Sequence, residues 1–105
     1  MRIQVFTSPS CSHRDAILAL VRESLAESGV EGDFEEVQTV SFEDAKEQKS
    51  FGSPTIRFEG VDIEYGVREP EEYTNGCRYY NTPEGWKPMP PKSLVIGAIN
   101  RARSR

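Results

Sequence analysis

Cys11, Ser12, His13 and Arg14 stand together just after the short apolar run Ile3-Gln4-Val5-Phe6 and just before an amphipathic stretch. A cysteine at the start of a helix lies among unpaired backbone N–H groups, at the positive end of the helix dipole. Those fields favour thiolate over thiol, lower the cysteine pKa and create a nucleophile. His13, the only histidine, can accept the thiol proton near neutral pH, and Arg14 can stabilise the thiolate. The plainer alternatives are an exposed histidine and an arginine that merely solvates the first helical turn. Arginine at a helix N-terminus opposes the dipole, a local rule broken beside a candidate site. These residue types allow thiol–disulfide exchange, whereas a small buried cysteine at a strand–helix joint is the bland reading of Cys11.

The second cysteine, Cys77, is far away in sequence, so the pair does not make a disulfide-rich scaffold. Two cysteines and one histidine build no zinc site without carboxylate help, and no metal or resident cofactor is expected. With 105 residues the chain fits one domain over 1–105. A net charge of −4 supplies no general attraction for nucleic acid. The basic residues Arg101, Arg103 and Arg105 are expected to complement the C-terminal end of a last helix, an RNA contact being the less favoured reading. Met1 to Val5 carries no long apolar stretch, so neither a secretory signal nor a membrane span is expected, and a cytoplasmic address follows.

Positioning these residues requires a strand over about Arg2–Phe6, where Ile3 and Val5 alternate with less apolar positions. From about Ser10 the period becomes helical, with Ile17, Leu18, Val21 and Leu25 on one face, and Ser28-Gly29 is a stop. Asp33 to Val40 is a second strand with imperfect alternation. Ser41 and Asp44 suit a helix start, and the helix runs to about Lys49 before Gly52-Ser53-Pro54 breaks it. Thr55–Phe58 and Val61–Glu64 flank Glu59-Gly60 and read as a β-hairpin. Tyr65 to Pro91, with Pro70, Pro83 and Pro88, is expected to be mostly irregular, with a brief strand near Cys77–Tyr80. Within it Tyr73, Tyr79, Tyr80 and Trp86 either wall a groove or cover the open edge of the core, and Glu69, Glu71 and Glu72 form a solvated face. Pro90-Pro91 opens a last helix whose face is Leu94, Val95, Ala98, Ile99 and Ala102. The order βαβα, hairpin, α predicts an α/β fold, a four-stranded mixed sheet with helices on both faces.

That order, with Thr7-Ser8-Pro9-Ser10-Cys11 at the first strand–helix junction and Gly52-Ser53-Pro54-Thr55 opening the hairpin, resembles the thioredoxin and glutaredoxin superfamily. The resemblance spans about residues 2–64 and, loosely, the final helix. Gly52 to Arg57, Val61-Asp62 and Cys77-Arg78-Tyr79 are similar, more narrowly, to small bacterial stand-alone thioredoxin-like proteins. It implies a thioredoxin-like sheet, a cis Ser53–Pro54 bond facing Cys11, and Ser53 backbone able to pair with a bound peptide or glutathione. The departure is Arg14, which stands where dithiol members carry their second cysteine, so a Cys-X-X-Cys disulfide cannot form.

The candidate site is therefore Cys11 and Cys77 as reacting thiols, with Ser12, His13, Arg14, Ser53 and Pro54 binding substrate. The loop after the hairpin returns toward the Cys11 end of the sheet, so Cys77 can resolve a Cys11 intermediate if the Cα atoms lie roughly 4.4–6.8 Å apart. Otherwise it is a packed structural cysteine. The expected function is thiol–disulfide exchange, monothiol or through a Cys11/Cys77 pair, with a disulfide-containing protein or glutathione as partner and glutathione as possible co-substrate. The alternative is an inactive fold that binds a peptide or protein through the same face. Oxyanion reduction ranks last, because the hairpin follows Cys11 too soon for the helical insertion of glutaredoxin-type arsenate reductases. Cluster ligation by Cys11 across a dimer, suggested by likeness to monothiol glutaredoxins, is not established by the sequence.

Overall fold

A computed structural model of the chain describes residues 1–9, 12–66 and 74–104, with backbone alone at 74, 75 and 77. Strand β1 (Arg2–Thr7) leads to helix α1 (Arg14–Glu27), strand β2 (Asp33–Gln38) and helix α2 (Phe42–Gln48). Strands β3 (Phe51–Ser53), β4 (Thr55–Phe58) and β5 (Val61–Asp62) follow. Then come β6 (Thr74–Cys77), β7 (Tyr80–Thr82), β8 (Gly85–Lys87) and helix α3 (Lys92–Arg103).

The principal sheet has four strands in the order β2-β1-β4-β5. β1 runs parallel to β2 and antiparallel to β4, and β4 is antiparallel to β5, so the sheet is mixed. In β1 and β4 the period-two alternation sorts side chains between two faces. Ile3 and Val5 pair with Phe58 and Ile56 and enter a core with Ile17, Leu18, Val21 and Leu25 of α1 and Val95, Ala98, Ile99 and Ala102 of α3. Each large aliphatic or aromatic group buried there contributes about 1.5–3 kcal/mol.

Gln4, Phe6 and Arg57 occupy the opposite face. The Arg57 guanidinium stacks 4.6 Å above the Phe6 ring and donates to the Gln48 carbonyl at 3.0 Å and to that of Lys49. It thereby satisfies carbonyls left open at the end of α2 and holds that helix end against the second face. At the start of α2 the Ser41 hydroxyl accepts from Asp44 N–H at 3.1 Å, while Asp44 accepts from Val40 N–H at 3.2 Å. Such a cap stabilises a short helix by about 1 kcal/mol. Glu59 and Gly60 both have positive φ, 56° and 78°, the requirement of a tight hairpin turn.

Five expectations change. The second hairpin strand stops at Asp62 rather than Glu64, where the chain turns, and the brief strand expected near Cys77–Tyr80 is instead the junction at which β6 ends and β7 begins. α1 begins at Arg14 rather than near Ser10, with His13 as its cap. β2 ends at Gln38, leaving Val40 exposed before the Ser41 cap takes over. The segment after the hairpin is more regular than its prolines suggest: β6 pairs in parallel with β3, and β7 and β8 form a second hairpin. β6 has four residues and is held by the distant β3, while β7 and β8 have three residues each, too few for alternation to show. No described helix is long and apolar enough to cross a membrane.

Candidate functional site

β1 delivers the chain to Thr7 and Ser8, both buried at one end of the sheet. There the Ser8 N–H donates to Ser53 Oγ at 3.0 Å. Ser53 ends β3, and its bond to Pro54 is cis, the isomer expected above. The Ser53 carbonyl accepts from the Arg78 N–H at 3.0 Å, and the Pro54 carbonyl accepts from the Tyr80 hydroxyl at 2.6 Å. Across the turn the Thr55 hydroxyl donates to the Gly52 carbonyl at 2.6 Å and accepts from Phe51 N–H at 3.1 Å. In the β3–β6 register the residue opposite Ser53 is Cys77. Ser8, the Ser53–Pro54 turn and the Cys77 backbone thus meet in one place.

Cys11 lies outside the described residues, as does the Cys77 side chain; by sequence Cys11 follows Ser8 by three positions. The expected aromatic group divides. Tyr80 is fully buried, Tyr79 and Trp86 are exposed, and Tyr73, Glu69, Glu71 and Glu72 lie outside the described residues.

Ser12 and His13 are exposed. The His13 carbonyl accepts the first α1 bond from Ile17 N–H at 2.9 Å, and its side chain makes no cap. With Thr82, Glu84, Lys87, Pro88, Met89 and Pro91 it lines an open groove of about 330 Å³ between the start of α1 and the β7–β8 hairpin. Arg14 is held by Glu36 of β2: Nε and Nη2 each donate to one carboxylate oxygen at 2.6 Å. That hydrogen bonding, with the attraction between the charges, holds the Glu36 carboxyl below the usual carboxylate range and raises the Arg14 pKa further. Arg14 is therefore directed toward Glu36 of β2, while the Ser53–Pro54 turn is held by Ser8, Arg78 and Tyr80.

The residues that sequence reasoning missed lie behind the turn. Asp62 and Arg78 are both about 96% buried, and Arg78 donates to the two Asp62 oxygens at 2.6 and 2.8 Å. Asp62 Oδ2 also accepts from the N–H groups of Glu64 and Tyr65 at 2.9 and 2.8 Å. The guanidinium lies 4.3 Å from the Tyr80 ring centre and 4.7 Å from that of Tyr65. Burial opposes the Arg78 charge, but the Asp62 hydrogen bonds and negative charge overcome it, and its pKa is raised. For Tyr80, whose charged form is the anion, burial raises the pKa, with Arg78 opposing. The available signal was an arginine beside Cys77 in an aromatic run, and an aspartate inside a hairpin strand.

Among the described residues no three histidine, cysteine, aspartate or glutamate side chains gather as a metal ion needs. Compared with models of protein families, with curated proteins and with solved structures, the chain matches none.

Proposed function

We propose that this chain is a thiol–disulfide exchange protein of the thioredoxin and glutaredoxin type, with Cys11 as the attacking thiolate and Cys77 as the resolving thiol. The observation that carries the reading is the convergence on Ser53. Its hydroxyl takes the Ser8 N–H from the segment leading to Cys11, and its backbone faces Cys77 across β3–β6. The mixed sheet, with β1 between a parallel and an antiparallel neighbour, agrees with the resemblance.

In this chemistry the Cys11 thiolate attacks one sulfur of a substrate disulfide. A Cys11–substrate bond forms as the substrate's S–S bond breaks, and the departing thiolate takes a proton. The Cys77 thiol, its proton lost to solvent, attacks the Cys11 sulfur and expels the second substrate thiolate. Two electrons have then passed from the cysteines to the substrate. Two equivalents of an external thiol such as glutathione, themselves oxidised to a disulfide, restore the reduced pair. Arg14 excludes a nearer resolving thiol three residues after Cys11.

Incubation with oxidised glutathione and mass spectrometry test this. Wild type is expected to yield an intramolecular Cys11–Cys77 disulfide, Cys77→Ser to stop at glutathionylated Cys11, and Cys11→Ser to lose turnover with a small disulfide substrate. Absence of exchange at Cys11 in wild type overturns the proposal. A bound protein retained by Cys11→Ser supports the binding-module alternative instead.

A further inference from the structure

β3 and β6 form only a two-stranded pair, and their register is irregular: Phe51 faces Thr74 while Ser53 faces Cys77. From the first pair to the second, β3 advances two residues and β6 three. Such a bulge lets two residues oppose one, and a slip by one position places Gly76 rather than Cys77 across from Ser53. So short a ladder specifies its register weakly by itself.

Something outside the ladder must choose. Immediately after Cys77, Arg78 donates its backbone N–H to the Ser53 carbonyl and grips Asp62 of β5 with two guanidinium nitrogens. The same side chain packs against Tyr80 and Tyr65, and Tyr80 bonds the Pro54 carbonyl. At Gly52, where φ is +114°, a Cβ would lie 3.0 Å from the Arg78 Cβ, so the two backbones approach closely. A buried ion pair is a weak source of stability, because desolvation offsets the attraction; its best-attested service is to fix a register. The Arg78 Nε is buried with no hydrogen-bond partner among the described residues, a cost that an apolar side chain would avoid.

We infer that Asp62 and Arg78 are positioning residues: the pair sets the β6 register that puts Cys77 opposite Ser53 and so controls closure of the Cys11–Cys77 disulfide. This rests on the exchange reading above and names what governs its second step. The electron balance is that of the resolving step already given, in which Cys77 displaces a thiolate from Cys11. Without the grip, β6 remains folded chain but offers the wrong residue.

The test compares wild type with the double variant Asp62→Asn/Arg78→Met, in which Asn keeps an acceptor for the Glu64 and Tyr65 amides and both members of the buried pair are neutralised together, leaving Glu64, 3.5 Å from Arg78 in wild type and partly exposed, to solvent. Arg78→Lys keeps the charge and loses the two-pronged grip. Each protein is equilibrated in glutathione redox buffers, and Cys11 alkylation and thermal unfolding are followed in parallel. The double variant is expected to close the Cys11–Cys77 bond with an equilibrium constant at least tenfold smaller, a potential about 30 mV more oxidising. Cys11 alkylation should keep the wild-type rate and unfolding should remain cooperative. Arg78→Lys is expected to fall between the two. Closure at wild-type strength in either variant that folds overturns the inference and leaves the exchange reading intact. Wild type that exchanges at Cys11 but never closes also overturns it, leaving a monothiol protein, whereas wild type inert at Cys11 removes the exchange reading too.

Discussion

Removing the Ser53 hydroxyl takes away the acceptor of the Ser8 N–H while leaving the backbone bond from Arg78 in place. Ser53→Ala is therefore expected to lose about 1 kcal/mol in urea unfolding, the net worth of one ordinary hydrogen bond. A loss near zero would mean that Ser8 is held by other means. Tyr80→Phe keeps the buried ring but deletes the bond to the Pro54 carbonyl, and about 1–3 kcal/mol should be lost for a buried acceptor left behind. Unchanged stability in that variant would exclude Tyr80 as a support of the turn. Ser53 and Pro54 could be singled out from sequence because Gly-Ser-Pro-Thr is a local pattern. Tyr80 was legible only as one of an aromatic group and Asp62 and Arg78 only as parts of a resemblance; their pairing behind the turn was not, since the partners lie up to 26 residues away and their significance depends on burial.

Between elements, the Arg14–Glu36 pair ties the first turn of α1 to β2 across 22 residues of sequence. Because Arg14 lowers the Glu36 pKa in the folded protein, the unfolded chain binds a proton there more readily than the native state does. The pair's contribution is thus present above the ordinary carboxylate pKa and fades as pH falls through the lowered one. Urea unfolding of wild type and Glu36→Gln should differ at pH 7 and converge toward pH 3. A gap that persists at low pH would assign the difference to something other than charge. The difference should be small, since both side chains are partly open to solvent, and it should shrink with added salt.

Across the whole molecule the two faces of the sheet are filled by different chemistry. One is a largely aliphatic core shared with α1 and α3, which also takes in Phe58 and Tyr80; on the other, Arg57 stacks against Phe6 and Phe51. The single tryptophan, Trp86, belongs to neither and is 66% exposed on β8. Its emission is expected to move little during urea unfolding, while far-UV circular dichroism follows the complete transition. A strongly blue-shifted native emission would show that the β7–β8 hairpin folds onto the body of the protein in solution.

The sequence by itself determined the elements whose signals are local: the β1, β4 and β5 strands, the apolar faces of α1 and α3, the Ser41 cap and the Glu59-Gly60 turn. Periodicity and turn chemistry act between residues a few positions apart, so they are visible in the chain alone. Tertiary structure decided that β6 lies beside β3, that Cys77 stands opposite Ser53, and that an Asp62–Arg78 pair is buried behind them. Those outcomes come from contacts between distant segments, where desolvation and geometry in the assembled fold select the partner.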